Sequence, residues 1–240
     1  MLEPWFATLA RTAARAPGTP GGALRLRRDL GRIGRRAEAE MLAATGGVNT
    51  HRGALYSLGF LVAGAAYAGA CAPAEVALAA GELARLPDIA VRQARSHGDL
   101  VRDQHPRAGA AVHAATGFPV TMRTALPALR ASRRRGAGEQ MARLDALPAV
   151  MAVLDDTCVL YRAGTQGLGL IRRDAAAVLA AASGRPARQA AVSWTGWIAA
   201  AGHGGSPPAA RRTCWPPPCS WINSTATDTT ETQGRHECRP

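Results

Sequence analysis

Two polar stretches carry residue types that could do chemistry. The first is Asn49-Thr50-His51-Arg52, which follows Gly46-Gly47 and precedes a nearly unbroken apolar run over 54–70. Paired glycines end a helix at low cost because they accept the left-handed cap conformation. A polar turn feeding an apolar helix offers free N–H groups, which favour an anion. Asn49 or Thr50 can cap that helix, and Arg52 would add a fork-shaped, charge-assisted donor to a phosphate. An ordinary cap beside a solvated arginine satisfies the same spacing.

The second stretch is Asp155-Asp156-Thr157, flanked by Leu154 and Cys158 in an apolar helical pattern. Carboxylates in such surroundings need partners, since burying an unpaired one is costly. Mg²⁺ suits two carboxylates completed by phosphate oxygens. Ion pairing to Arg162, one or two turns on, or to other arginines is the competing account.

The elements that must position these groups read as helices. Apolar residues recur at threes and fours over 24–44, with Leu26, Leu30, Ile33, Ala37 and Met41 on one face and Arg27, Arg28, Arg32 and Arg35 on the other. Further helices are expected over 4–14, 54–70, 73–86, 88–95 and 168–182. A longer one is expected over 140–160, kinked at Pro148. Residues 99–108 read as a polar connection, Gly117-Phe118-Pro119 as a turn, and 131–138 as a basic loop. Pro127 implies a kink or a second helix start. No alternating pattern supports a strand. The expected fold is all-α, a single helical domain with buried central helices over 1–205 and a disordered C-terminal tail over 206–240.

Composition narrows the function. All 29 Lys+Arg positions are arginine and the formal net charge is +12, which attracts anions. The arginines are dispersed and aromatics are few, which argues against a nucleic-acid stacking surface. The run over 54–70 is Ala- and Gly-rich, so its drive to insert in a bilayer is weak, and a buried core helix is preferred. Cys71 and Cys158 are expected as buried thiols, and no Cys/His metal spacing appears. The first residues lack a secretory pattern, which leaves the cytoplasm as the expected location.

Residues 45–59, Ser96-His97-Gly98, Gly117-Phe118-Pro119, Ala125-Leu126-Pro127 and Asp155-Asp156-Thr157 together resemble the triphosphoribosyl-dephospho-CoA synthase family, in order and approximate spacing. The family makes the prosthetic-group precursor for malonate decarboxylase and citrate lyase. The resemblance implies an all-α fold and a reaction in which ATP and 3′-dephospho-CoA give 2′-(5″-triphosphoribosyl)-3′-dephospho-CoA and adenine. An oxocarbenium-like transition state calls for a nearby carboxylate, as in glycoside chemistry. On this reading Asp155 and Asp156 bind Mg²⁺ or stabilise the developing cation. Arg52 and Arg162 hold phosphates, and Asn49, Thr50 and His51 orient a ribose or the triphosphate. The implied partners are ATP and dephospho-CoA, and indirectly a downstream acyl carrier protein, with neither nucleic acid nor membrane.

Three departures from the family pattern stand out. An early Pro-Lys-Pro-Gly motif and a His/Asp motif have no match, so the chain is expected to be truncated at its N-terminus. Ala111 and His113 occupy places where an Arg and a Glu are expected. Beyond Ser206 the helical pattern stops. A shifted reading frame over 206–224 would restore the family's C-terminal motif, which implies a frameshift between roughly 193 and 206. An inactive nucleotide-binding remnant is therefore an alternative, and a basic helical nucleic-acid binder a more distant one.

Overall fold

The computed structural model describes residues 2–88 and 96–182. The described residues belong to one unit, Met1–Trp194, and Thr195–Pro240 form a second that lies outside the description. The expected tail and frameshift region, and most of the helix expected over 88–95, also fall outside it. Among the described residues every regular element is helical, as the periodicity predicts.

α1 (Glu3–Ala14) and α2 (Pro20–Ala44) are joined by a short turn, where Thr19 accepts a hydrogen bond from the Gly22 N–H and Pro20 opens the helix. Such a cap followed by a first-turn proline is a strong start signal. α3 (Arg52–Ala68) is the central helix and ends on Gly69 in the left-handed conformation. α4 (Pro73–Arg85) packs along it. The approach is close: a Cβ on Gly64 would lie 2.6 Å from the Ala80 backbone nitrogen. The main core joins Leu9 and Ala13 of α1, Leu26, Leu30 and Ile33 of α2, Phe60 and Ala63 of α3, and Ala77, Ala80 and Leu83 of α4. No single described helix is long and apolar enough to cross a membrane.

The second half departs from the sequence expectation in three places. Residues 97–104 are not a loop but α5 (His97–Gln104), because Ser96 and Asp99 form a reciprocal capping box. α6 (Ala110–Ala115) leads to Phe118, which seals the main core at φ 56°, and a π-helical turn (Thr121–Ala125) then runs into α7 (Leu126–Arg134). α7 thus takes up half of the expected basic loop.

The third departure matters most. The helix expected over 140–160 is two. α8 (Glu139–Met151) stops soon after Pro148, and α9 (Thr157–Ala182) begins at Thr157, with a non-helical break at Gly164. Asp155 and Asp156 therefore lie in the connection and not inside an apolar helix. Polar residues immediately before an apolar run are a helix start, and that signal outweighs continuous periodicity. Cys71 and Cys158 are exposed, contrary to expectation, because each sits at a helix boundary. α5 and α9 share a smaller cluster of Val101, Ala108, Leu160 and Leu168.

Candidate functional site

Asp156 precedes the first turn of α9. Its Oδ1 accepts hydrogen bonds from the Cys158 N–H at 2.6 Å and the Val159 N–H at 3.0 Å. Asp155 is held differently. Its Oδ1 accepts from Arg172 at 2.8 Å, and its backbone carbonyl accepts from the Gly109 N–H at 3.3 Å. The expected partner Arg162 is exposed and is not the arginine that pairs with Asp155. Its charge nevertheless reaches Cys158. Although Cys158 is exposed, protein packed around its thiol displaces enough water to raise its pKa, and the Asp156 charge adds to the rise while Arg162 opposes it.

Two family-like motifs meet here. A Cβ on Gly109 would come within 2.9 Å of the Thr157 methyl, and one on Gly98 within 4.0 Å of the Thr157 hydroxyl. Gly109 also adopts φ 94°, so both space and backbone conformation call for glycine. Ser96-His97-Gly98 thus lies against Asp155-Asp156-Thr157. The His97 ring stacks on Tyr161 with centroids 4.0 Å apart.

The turn before α3 is ordered by its own side chains. Thr45 Oγ1 donates to the Met41 carbonyl at 2.8 Å, and Asn49 Oδ1 accepts from the Arg52 N–H at 3.0 Å. Asn49 thus acts as a cap, as expected, although it stands outside the formal cap position, His51. His51 Nδ1 lies 2.8 Å from the Thr50 hydroxyl. Arg52 turns toward α2, where its guanidinium pairs with Glu38. A Cβ on Gly53 would touch that of Ala110 at 3.8 Å. Because Gly109 binds Asp155, the start of α6 links the Asn49–Arg52 turn to the acidic connection.

Sequence reasoning missed a cleft of about 230 Å³ among α1, α2 and α3. Leu9, Leu30, Leu55 and Phe60 line it, with Arg27, Arg35, Arg52, Glu38, Asp88 and Tyr56 as its polar groups. Arg27 was expected on the face opposite the apolar stripe, but its side chain is only 9% exposed. It donates to the Leu86 carbonyl at 3.1 Å and to Asp88 Oδ2 at 3.2 Å, and lies over the Phe60 ring at 5.2 Å. Arg35 donates to the same Asp88 oxygen at 2.8 Å. Asp88 comes so close to α2 that any side chain at Gly31 would collide with its carboxylate. Three and four residues before Leu30 and Gly31, Arg27 borders their stripe and does not lie on the opposite face as expected, and that spacing was the available signal. Tyr56 lines the cleft. Burial raises its pKa, the charges of Arg27 and Arg102 oppose the rise, and Asp88 adds to it.

No group of three His, Cys, Asp or Glu side chains that could hold a metal occurs among the described residues. Asp155 and Asp156 still fit Mg²⁺, because the bonds given above engage only one oxygen of each, and phosphate oxygens ordinarily complete such a site.

The comparisons with known proteins give this all-α chain its class. The family model for ATP:dephospho-CoA triphosphoribosyl transferase matches residues 1–200, and the chain belongs to that family. Among curated relatives, the probable 2-(5″-triphosphoribosyl)-3′-dephosphocoenzyme-A synthase of Pseudomonas syringae pv. syringae is 52% identical over 155 residues, 64% of this chain and 53% of the relative. Its namesake in Pseudomonas paraeruginosa is 50% identical over 181 residues, 75% of this chain and 61% of the relative. That of Azotobacter vinelandii is 52% identical over 158 residues, 65% of this chain and 54% of the relative. The chain thus spans little more than half the length of these relatives. No solved structure matches.

Proposed function

We propose that the chain carries the nucleotide-transfer site of a triphosphoribosyl-dephospho-CoA synthase. ATP and 3′-dephospho-CoA are the substrates. The 2′-hydroxyl of dephospho-CoA forms a bond to C1″ of the ATP ribose as the bond from C1″ to adenine N9 breaks. The hydroxyl proton leaves with adenine, and the triphosphate is retained. The product serves prosthetic-group biosynthesis for malonate decarboxylase or citrate lyase, through an acyl carrier protein.

One observation supports this reading above others. Ser96-His97-Gly98 and Asp155-Asp156-Thr157, far apart in sequence, are brought together at Gly109. A developing ribosyl cation needs negative charge beside it, and on this reading the carboxylates of Asp155 and Asp156 supply it. Mg²⁺, when bound with the triphosphate, would neutralise phosphate charge at these carboxylates. Asn49, Thr50 and His51 orient the ribose or triphosphate, and Arg52 and Arg162 contribute cationic donors.

The test is incubation with ATP and dephospho-CoA while adenine is monitored. Adenine release that depends on both substrates is expected. ATP binding without adenine release would instead establish the binding-only alternative.

A further inference from the structure

The cleft among α1, α2 and α3 holds more guanidinium than carboxylate: Arg27, Arg35 and Arg52 face Glu38 and Asp88. Its apolar floor of Leu9, Leu30, Leu55 and Phe60 strengthens any charge interaction made above it. The three arginines are not equivalent. Arg27 is buried and anchored at both Asp88 and the Leu86 carbonyl. Arg35 is 26% exposed and binds only the oxygen of Asp88 that Arg27 already holds. If Arg35 swings away, the buried Asp88 carboxylate keeps Arg27, so the large penalty for an unpaired buried charge is avoided. Arg52 is 44% exposed and pairs with Glu38 across the same cleft.

We propose that this cleft is a polyphosphate subsite, in which Arg35 and Arg52 exchange their internal carboxylate partners for the phosphate oxygens of a nucleotide substrate. Two planar forks lining one cleft suit the successive phosphate groups of a polyphosphate, each able to take a bidentate contact. Arg27 and Asp88 keep Arg35 poised and do not themselves bind the ligand. The identity of the ligand as a nucleotide rests on the transferase reading, whereas the anion subsite does not. The triphosphate of ATP and the diphosphate of dephospho-CoA share this chemistry, and the experiment separates them.

Inorganic tripolyphosphate, pyrophosphate, ATP, dephospho-CoA and adenosine are titrated onto the full chain by calorimetry. Arg35→Gln is expected to weaken tripolyphosphate and ATP by about tenfold and leave adenosine unchanged. Arg36→Gln removes the same charge from an exposed position outside the cleft and is expected to change nothing. Gly34 lines the cleft with open space at its Cβ, so Gly34→Leu adds bulk to the cleft and keeps every ion-pair residue in the chain. It should fold normally and lose tripolyphosphate binding. Loss confined to tripolyphosphate and ATP assigns the cleft to the triphosphate. Equal loss for pyrophosphate and dephospho-CoA assigns it to the diphosphate. Unchanged tripolyphosphate affinity in both Arg35→Gln and Gly34→Leu overturns the proposal, as does an equal loss in Arg36→Gln. Adenine release by a wild-type chain whose phosphate binding ignores Arg35 and Gly34 would sink the subsite and leave the transferase reading standing. Arg35-dependent tripolyphosphate binding without adenine release would do the reverse.

Discussion

Asp156 caps α9 through its Oδ1. One substitution can separate that capping from the catalytic role proposed for its charge. Asn caps a helix about as well as Asp. Asp156→Asn should therefore leave the melting temperature nearly unchanged while adenine release falls on the order of a hundredfold, the scale of losing one electrostatic contact in a transition state. Asp156→Ala should lose the activity and also about 1 kcal/mol of stability. Full turnover by Asp156→Asn would remove the catalytic role. Asp88 is the structural counterpart. Asp88→Ala strands the buried Arg27 and should cost about 3–5 kcal/mol in denaturant unfolding. His113 gives a pH signature. Burial lowers its pKa below the ordinary value of about 6.5. Between its folded and unfolded values the unfolded chain binds the extra proton, so the stability His113 contributes is full above pH ~6.5 and falls as acid approaches the folded value. Comparing His113→Gln with wild type across that window should show the gap between their unfolding free energies change with pH. A constant gap would exclude the effect.

The helices show why some of this was legible and some was not. α2 and α3 follow from periodicity because a long apolar stripe has few other solutions, and Thr19-Pro20 and Gly69 mark ends the chain enforces. α5 was hidden because its eight residues carry one buried side chain, Val101, and its stability comes from a capping box rather than a stripe. The single long helix over 140–160 was a plausible misreading, since the apolar spacing of α8 runs on into α9. Only the capping role of Asp156 reveals the break. At the site, the polar turn and the acidic pair were visible as residue types, but Arg27, Arg35 and Asp88 depend on a contact between α2 and a residue far along the chain, which spacing does not encode. Glycines test the packing. Gly64→Ala should cost about 1–3 kcal/mol, because its Cβ meets the backbone of α4, which cannot yield as a flexible side chain would. Gly34→Ala, with open space around it, should instead stabilise by about 0.5–1 kcal/mol. Equal thermal shifts in the two variants would contradict the helix contacts described.

For the whole molecule, the formal charge of +12 with no lysine sets a field that draws anions from a distance. Dispersed arginine charge is screened by salt over about 10 Å at 0.1 M, whereas contacts inside a cleft are screened less. ATP affinity should therefore fall as NaCl rises from about 50 to 500 mM and then level off where only close contacts remain. Affinity indifferent to salt would leave the net charge without a part in binding. The layout also separates labour. The main core, built mostly on α1–α4, carries the arginine cleft, and the smaller α5–α9 cluster carries the acidic connection, with α6 between them.

The collision between Gly31 and Asp88 has a consequence for descent. A side chain gained at position 31 would push the aspartate from its place, because the new carbon would collide with its Oδ2. Losing the aspartate first would leave the buried arginine with only the Leu86 carbonyl. The three positions should therefore tend to change together. Across related sequences, chains bearing alanine or larger at the position of Gly31 should lack both the acid and its arginine.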